Sequence, residues 1–402
     1  MKQIEQIYMN TETKHFITEH EKDDIYTLKL NYKNDSEVDI DLAIRQINGR
    51  QKVRSKVPTY YETEDLLYPV QLSLEQSSSE LTAKYKSTIC TGHTLVDLTG
   101  GFGVDCYFMS SQFKHATYIE RQAELCDLAI HNFKVLGRDS IEVVQSETEN
   151  YLKDMNPVDW IFIDPARRSS SGKKVVLLSD CEPNVAALSK LLLEKANRIM
   201  IKLSPMMDIT AAMRELPDTS EIHIISVENE CKEVLLILDH SVVSNIKMKA
   251  VNFGKNKEMQ LFEYNTEEEW NAVATYSPEI DKYLYEPNSS VMKSGAFKLI
   301  GNLFKLSKLH INTHLYTSNE LSLHFPGRVF EVLNTWGNSK SELKELSKHL
   351  PKANITTRNY PLSVEELRKK LKIKEGGDSF LFACTMANNQ KVMIECKKLI
   401  YN

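Results

Sequence analysis

Between residues 94 and 239 short apolar runs alternate with stretches of helical periodicity, and no other feature of this 402-residue chain restricts its fold so strongly. Strands are expected at 94–98, 116–120, 141–145, 158–163, 197–203, 221–228 and 233–239, with helices between them, most clearly at 122–136 and 185–195. Strands joined through helices lie parallel. The last two are separated only by Asn229-Glu230-Cys231-Lys232, too short for a crossover, so the seventh must run antiparallel to the sixth. The expectation is an α/β, Rossmann-like, seven-stranded sheet closed by one hairpin.

The flanks read differently. Up to about residue 75 the chain is mostly helical, with Ile40, Ala43, Ile44 and Ile47 on one stripe. Arg45, Arg50, Lys52, Arg54 and Lys56 follow with no acid between Leu42 and Tyr61, as either a solvated helix face or a phosphate-contacting surface. Beyond Ser241 a hairpin is expected near 253–264 and a helix near 290–303 with Val291, Met292, Leu299, Ile300 and Leu303 inward. The last eighty or so residues read as a small α+β module: strand 328–333, helix 339–350, strand 354–357, helix 363–372, and two strands around Asn388-Asn389. Ser339 with Glu342 and Ser363 with Glu366 form capping boxes, and Gly376-Gly377 ends the second helix.

A net charge of −5 offers nucleic acid no global attraction, so any such contact must be local. Seven cysteines without a C-x-x-C pair argue against a zinc site or a disulfide framework, and no metal requirement is visible. The first residues lack the apolar core of a signal peptide, and no run reaches membrane-spanning length. A cytoplasmic, reduced enzyme is the class expected; nothing fixes its oligomeric state.

The chemistry concentrates at strand ends. Asp97 closes the first strand, and Thr99, Gly100, Gly101, Gly103 and Asp105 form the turn into the next helix, in the crevice where open α/β sheets bind nucleotides. Cys106 stands where a dinucleotide fingerprint needs its third glycine, so that fingerprint fails; the turn resembles the one that passes S-adenosylmethionine (SAM) in methyltransferases, and its bland reading is a tight strand–helix turn. Glu120, followed by Arg121, closes the second strand and can accept both hydroxyls of a ribose; its bland reading is a cap on the next helix. Glu147, or else Ser146 or Thr148, is placed for the adenine amino group.

Asp164-Pro165-Ala166-Arg167-Arg168 opens after the fourth strand, where amino-methyltransferases carry an [Asn/Asp]-Pro-Pro-aromatic motif. Asp164 and the Pro165 carbonyl would hold an amine toward a methyl donor, positioning supplying most of the rate. Arg167 replaces the aromatic residue and can stack on a base or bind phosphate, as can Arg168. Lys202 and Ser204, after the fifth strand, face the acceptor, or Lys202 makes a structural ion pair. Carbon methylation of a pyrimidine would need a cysteine nucleophile; Cys181 is the nearest and reads better as a packed thiol.

Taken together, these motifs resemble the class I SAM-dependent methyltransferases with a THUMP-like C-terminal domain, common in Bacteroidetes. The resemblance rests on 74–86, Asp97-Leu98-Thr99-Gly100-Gly101-Phe102-Gly103-Val104-Asp105, the Asp164 motif, Asp180-Cys181-Glu182-Pro183 and Lys202-Leu203-Ser204-Pro205-Met206. It continues through Tyr285-Glu286-Pro287-Asn288, Phe325-Pro326-Gly327-Arg328-Val329-Phe330 and Asn354-Ile355-Thr356-Thr357-Arg358-Asn359. It implies a helical region at 1–75, a SAM-dependent domain at 76–242, a ferredoxin-like segment at 243–322 and a THUMP-like, RNA-binding domain at 323–402. It also implies that 77–86, with Ser78 and Lys86, line the cofactor pocket; Glu147 departs from the commoner Asp. Residues 340–375 hold ten basic residues against five acidic ones, densest at Arg368, Lys369, Lys370, Lys372 and Lys374; charge alone reads as a solvated face, and the THUMP resemblance makes it the expected RNA grip.

The leading expectation is therefore methylation of a guanine or adenine amino group in tRNA or rRNA. A protein or small-molecule acceptor, or a SAM- and RNA-binding protein without catalysis, are the alternatives.

Overall fold

The computed structural model describes residues 9–32, 37–167, 178–240 and 245–399. The chain divides into two compact units, residues 1–219 with 236–242, and residues 220–235 with 243–402.

The expected alternation is present. β1 (Thr94–Asp97), β2 (His115–Glu120), β3 (Ile141–Gln145) and β4 (Val158–Ile163) are followed by a two-residue ladder, β5 (Ala166–Arg167) with β6 (Cys181–Glu182), and by β7 (Ala196–Leu203). β1 pairs in parallel with β2 and β4, β2 with β3, and β4 with β7. β8 (Thr219–Val227) turns into β9 (Glu230–Asp239) through Glu228 and Asn229, whose φ values of 50° and 65° match the tight hairpin turn that follows strand twist.

Nine strands, rather than seven, make up this sheet, in the order β11-β10-β8-β9-β7-β4-β1-β2-β3. The hairpin expected near 253–264 is β10 (Lys247–Phe253) with β11 (Met259–Asn265), and it extends the sheet instead of standing apart. β10 runs parallel to β8, from Lys247 opposite Glu221 to Phe253 opposite Val227. An otherwise open edge of apolar β8 would leave a row of backbone donors and acceptors unpaired, and β10 satisfies it.

Upstream of β1, the helices Ile40–Lys56 and Pro58–Glu62 bury Val53, Val57 and Tyr60 with Tyr68 and Leu74 against Phe102 and Val104, beside the glycine turn. Tyr60 meets Phe102 edge-on at 5.2 Å. Each such side chain contributes about 1.5–3 kcal/mol on burial, so the turn is braced from behind. The basic run of this region is a paired helix face: Arg45 bonds Glu124 at 2.9 Å, Arg50 bonds Glu21 at 3.0 Å, and Lys52 bonds Glu75 at 2.6 Å. Lys56 donates to the carbonyls of Leu74 and Glu75.

In the second unit β12 (Tyr283–Pro287), β13 (Ser307–Lys308), β14 (Tyr316–Ser318), β15 (Gly327–Trp336), β16 (Asn354–Arg358), β17 (Ser379–Thr385) and β18 (Lys391–Lys398) form one sheet in the order β13-β14-β12-β15-β18-β17-β16. Helices Lys340–His349 and Val364–Leu371 both start with complete capping boxes and pack Leu343, Leu346, Leu367 and Leu371 around Leu381 and Met393. The second helix ends on Lys372 at φ 54°, ahead of Gly376-Gly377. The helix expected at 290–303 is two, Ser289–Ser294 and Leu299–Leu303, because Gly295 adopts φ 83° between them; Leu303 is consequently exposed. Among the described residues no helix is long and apolar enough to cross a membrane.

Candidate active site

The turn after β1 is built on two glycines that nothing larger could replace. A Cβ on Gly100 would lie 2.1 Å from the Tyr118 ring, and Gly103, at φ +79°, starts the helix Val104–Ser110. Between them Gly101 donates its N–H to Glu120 Oε2 at 3.1 Å, and its carbonyl accepts the Tyr118 hydroxyl at 2.6 Å. A Cβ on Gly101 would meet only the Thr99 carbonyl, at 3.9 Å, so its outer side faces open space. Glu120 Oε1 also accepts the Gln122 N–H at 2.9 Å, so this carboxylate holds the turn and the residue that leads into the following helix. Among the described residues no cation pairs with it.

Asp97, 1 % exposed, accepts the Thr99 N–H at 3.0 Å. Burial pushes its carboxyl up to about 8, so at neutral pH it is mostly protonated. Thr99 ties this turn to the loop after β4, its hydroxyl accepting the Asp164 N–H at 2.7 Å.

Alternating charges run inward from Asp164. Its carboxylate meets Lys202 Nζ at 2.6 Å; Lys202 lies 3.5 Å from Asp105, which in turn meets Lys86 Nζ at 3.1 Å. The Ser78 hydroxyl donates to Asp105 at 2.7 Å. Burial disfavours the Asp105 charge, but Lys86 and then Lys202 outweigh it and hold the carboxyl below its usual range. Ser78, Lys86, Asp105, Lys202 and Asp164 thus form one connected group.

The other expected residues lie further out. Arg121 pairs with Glu182 at 2.8 Å on the surface. Glu147 is exposed at the start of helix Thr148–Asp154 without a capping bond, whereas Thr148 donates to the Leu98 carbonyl at 2.8 Å. Ser204 accepts the Met206 N–H at 3.2 Å. Pro165 is buried; the Arg167 side chain and all of Arg168 lie outside the described residues. Cys181 is a buried thiol opposite Arg167 in the β5–β6 ladder. In the second unit Arg368 hydrogen-bonds the carbonyls of Ala353 and Ile373, while Lys369 and Lys370 are exposed. Tyr118 went unnoticed in the sequence, although residues 118 and 120 share a face of β2 by strand periodicity. Among the described residues no cluster suited to a metal ion occurs.

A family model for a ferredoxin-like domain matches residues 283–326, and one described as THUMP domain-like matches 327–398. A solved structure from Porphyromonas gingivalis W83, provisionally assigned as a methyltransferase, is 33 % identical, with 98 % of this chain and 100 % of that chain covered at a TM-score of 0.87. A provisionally assigned restriction-enzyme modification subunit from Vibrio vulnificus YJ016 overlays at 0.35, with 11 % identity over 50 % of this chain and 57 % of that one. A provisionally assigned methyltransferase from Streptococcus mutans, solved with SAH, overlays at 0.30, with 14 % identity over 40 % and 95 %. Overlays as loose as these two carry no argument. Comparison with curated proteins found no match.

Proposed function

Because this chain belongs to the family of that Porphyromonas gingivalis protein, class I methyltransferases with a THUMP-like C-terminal domain, we propose that it is a SAM-dependent enzyme methylating a guanine or adenine amino group in tRNA or rRNA. One observation carries the reading: the Thr99–Asp164 hydrogen bond joins a glycine turn backed by a buried acid to an Asp-Pro loop at the same end of the sheet.

The residues fit the cofactor. The open side of Gly101 and a carboxylate with no ion pair suit a neutral ribose, with Glu120 accepting from its hydroxyls. When bound, SAM supplies an electrophilic methyl on a sulfonium. Asp164 and the Pro165 carbonyl accept the two N–H groups of an exocyclic amine and aim its lone pair, and the proton released on N-methylation passes to Asp164 or to water. Lys202, already near Asp105, can shift toward it when the amine takes the Asp164 oxygen. The THUMP-like segment would hold RNA while Arg167 or Arg168 contacts base or phosphate.

A protein or small-molecule acceptor is the second reading, favoured by the net charge of −5. RNA affinity that falls steeply with salt separates the two. The direct test is methyl transfer from labelled SAM with Asp164→Ala alongside: transfer should vanish while SAM affinity stays nearly unchanged, and equal loss of both would sink the role given to Asp164.

A further inference from the structure

Three sequence motifs that the strand-end site does not use meet at one carboxylate in the second unit. Glu286 on β12, its side chain 2 % exposed, accepts Arg328 of β15 through Nε at 2.8 Å and through Nη2, and Arg358 of β16 through Nη2 at 2.8 Å. One buried acid therefore fixes two guanidiniums and leaves a net positive charge. Neither is used up: their side chains remain 31 % and 39 % exposed, and each guanidinium has five N–H donors. Arg358 Nε is buried with no hydrogen-bond partner, so any outside group meets the exposed remainder of this side chain.

A second unmet atom lies in the same region. His314 Nδ1 is also buried without a partner. Burial, then the fields of Lys308 and Arg358, bring this imidazole down to about 4, so it is neutral at pH 7 and sits within electrostatic reach of both. Its ring stacks on Phe297 at 3.6 Å, and Lys308 Nζ stands 5.4 Å from the Phe297 centroid. Two arginines held on one carboxylate suit a phosphate, because guanidinium forks match phosphate oxygens.

We propose that Arg328 and Arg358, oriented by Glu286, clamp a backbone phosphodiester of an RNA strand. The clamp rests on the RNA-acceptor reading above. It draws on both matched segments, Glu286 from 283–326 and the arginines from 327–398.

The test uses the full chain and a fluorescein-labelled, mixed-sequence, single-stranded RNA, followed by anisotropy from roughly 50 to 200 mM salt. Arg358→Gln and Arg328→Gln should each weaken binding about tenfold and flatten the logarithmic salt slope by roughly 0.7–1. Arg358→Lys, which keeps charge but loses the fork, should fall between. Unchanged melting temperature and SAM affinity would show that each variant is folded. If Arg358→Gln fails to fold, Arg358→Lys decides, and full parental affinity in it overturns the clamp. Folded variants with parental affinity and slope overturn the clamp while leaving the methyltransferase reading intact. A parent that binds no RNA overturns both the clamp and the RNA-acceptor reading. Displacement of the RNA by low millimolar inorganic phosphate would assign the site to free phosphate and overturn the RNA part.

Discussion

Replacing Asp97 by Asn should stabilise the first unit, and more so as pH rises. Burial pushes the folded carboxyl up to about 8, whereas the unfolded chain ionises near about 3.9. A raised acid leaves the fold fully stable below the unfolded value, and stability is lost as pH climbs toward the folded one. Each unit in that window costs about 1.4 kcal/mol, so moving from pH 5 to 7.5 removes about 3 kcal/mol through Asp97 alone. Asparagine does not ionise, and its side-chain oxygen can still accept the Thr99 N–H. In a unit of this size that difference corresponds to about 6–12 °C. Scanning calorimetry of parent and Asp97→Asn at both pH values cancels every other titration. The gap in melting temperature should be wider at pH 7.5 by that amount. An equal gap at both would mean that Asp97 is ionised in the fold and would refute the reasoning.

Other perturbations follow from the same geometry. Gly100→Ala forces a methyl group into the Tyr118 ring and should cost at least about 1–3 kcal/mol, read as a lower midpoint in urea. Lys86→Met removes the nearer cation from the buried Asp105 carboxylate and leaves Lys202 at 3.5 Å, so a loss of up to about 3–5 kcal/mol is expected by denaturation; a change below ~1 kcal/mol would show that Lys202 alone suffices. Glu120→Ala should weaken SAM binding roughly ten- to hundredfold by calorimetry, and unchanged affinity would remove Glu120 from the ribose role.

Local signals carried much of the fold. Strand–helix alternation and the short link after β8 announce a parallel sheet with one antiparallel strand, since both are properties of neighbouring residues. Likewise Ser339 with Glu342 and Ser363 with Glu366 sit three residues apart and form the boxes their spacing implies. What went unread is non-local. The pairing of β10 on β8 joins segments about 26 residues apart, and the hairpin pattern of 247–265 is the same whether it stands alone or extends a sheet. The paired basic run on Ile40–Lys56 looked free because Glu21, Glu75 and Glu124 come from distant elements. Around the site, Lys86 and Asp105 were both singled out, but their ion pair depends on how two helices pack. Gly295 breaks a run whose apolar spacing fits one continuous helix, because that break is set by a backbone angle and not by periodicity.

The most direct test of the central claim is transfer of labelled methyl from SAM to total RNA from a host lacking this gene. The parent should label RNA, Asp164→Ala should not, and nuclease digestion should place the label on an amino group of guanine or adenine. A parent that binds SAM yet leaves that RNA unlabelled would contradict the account.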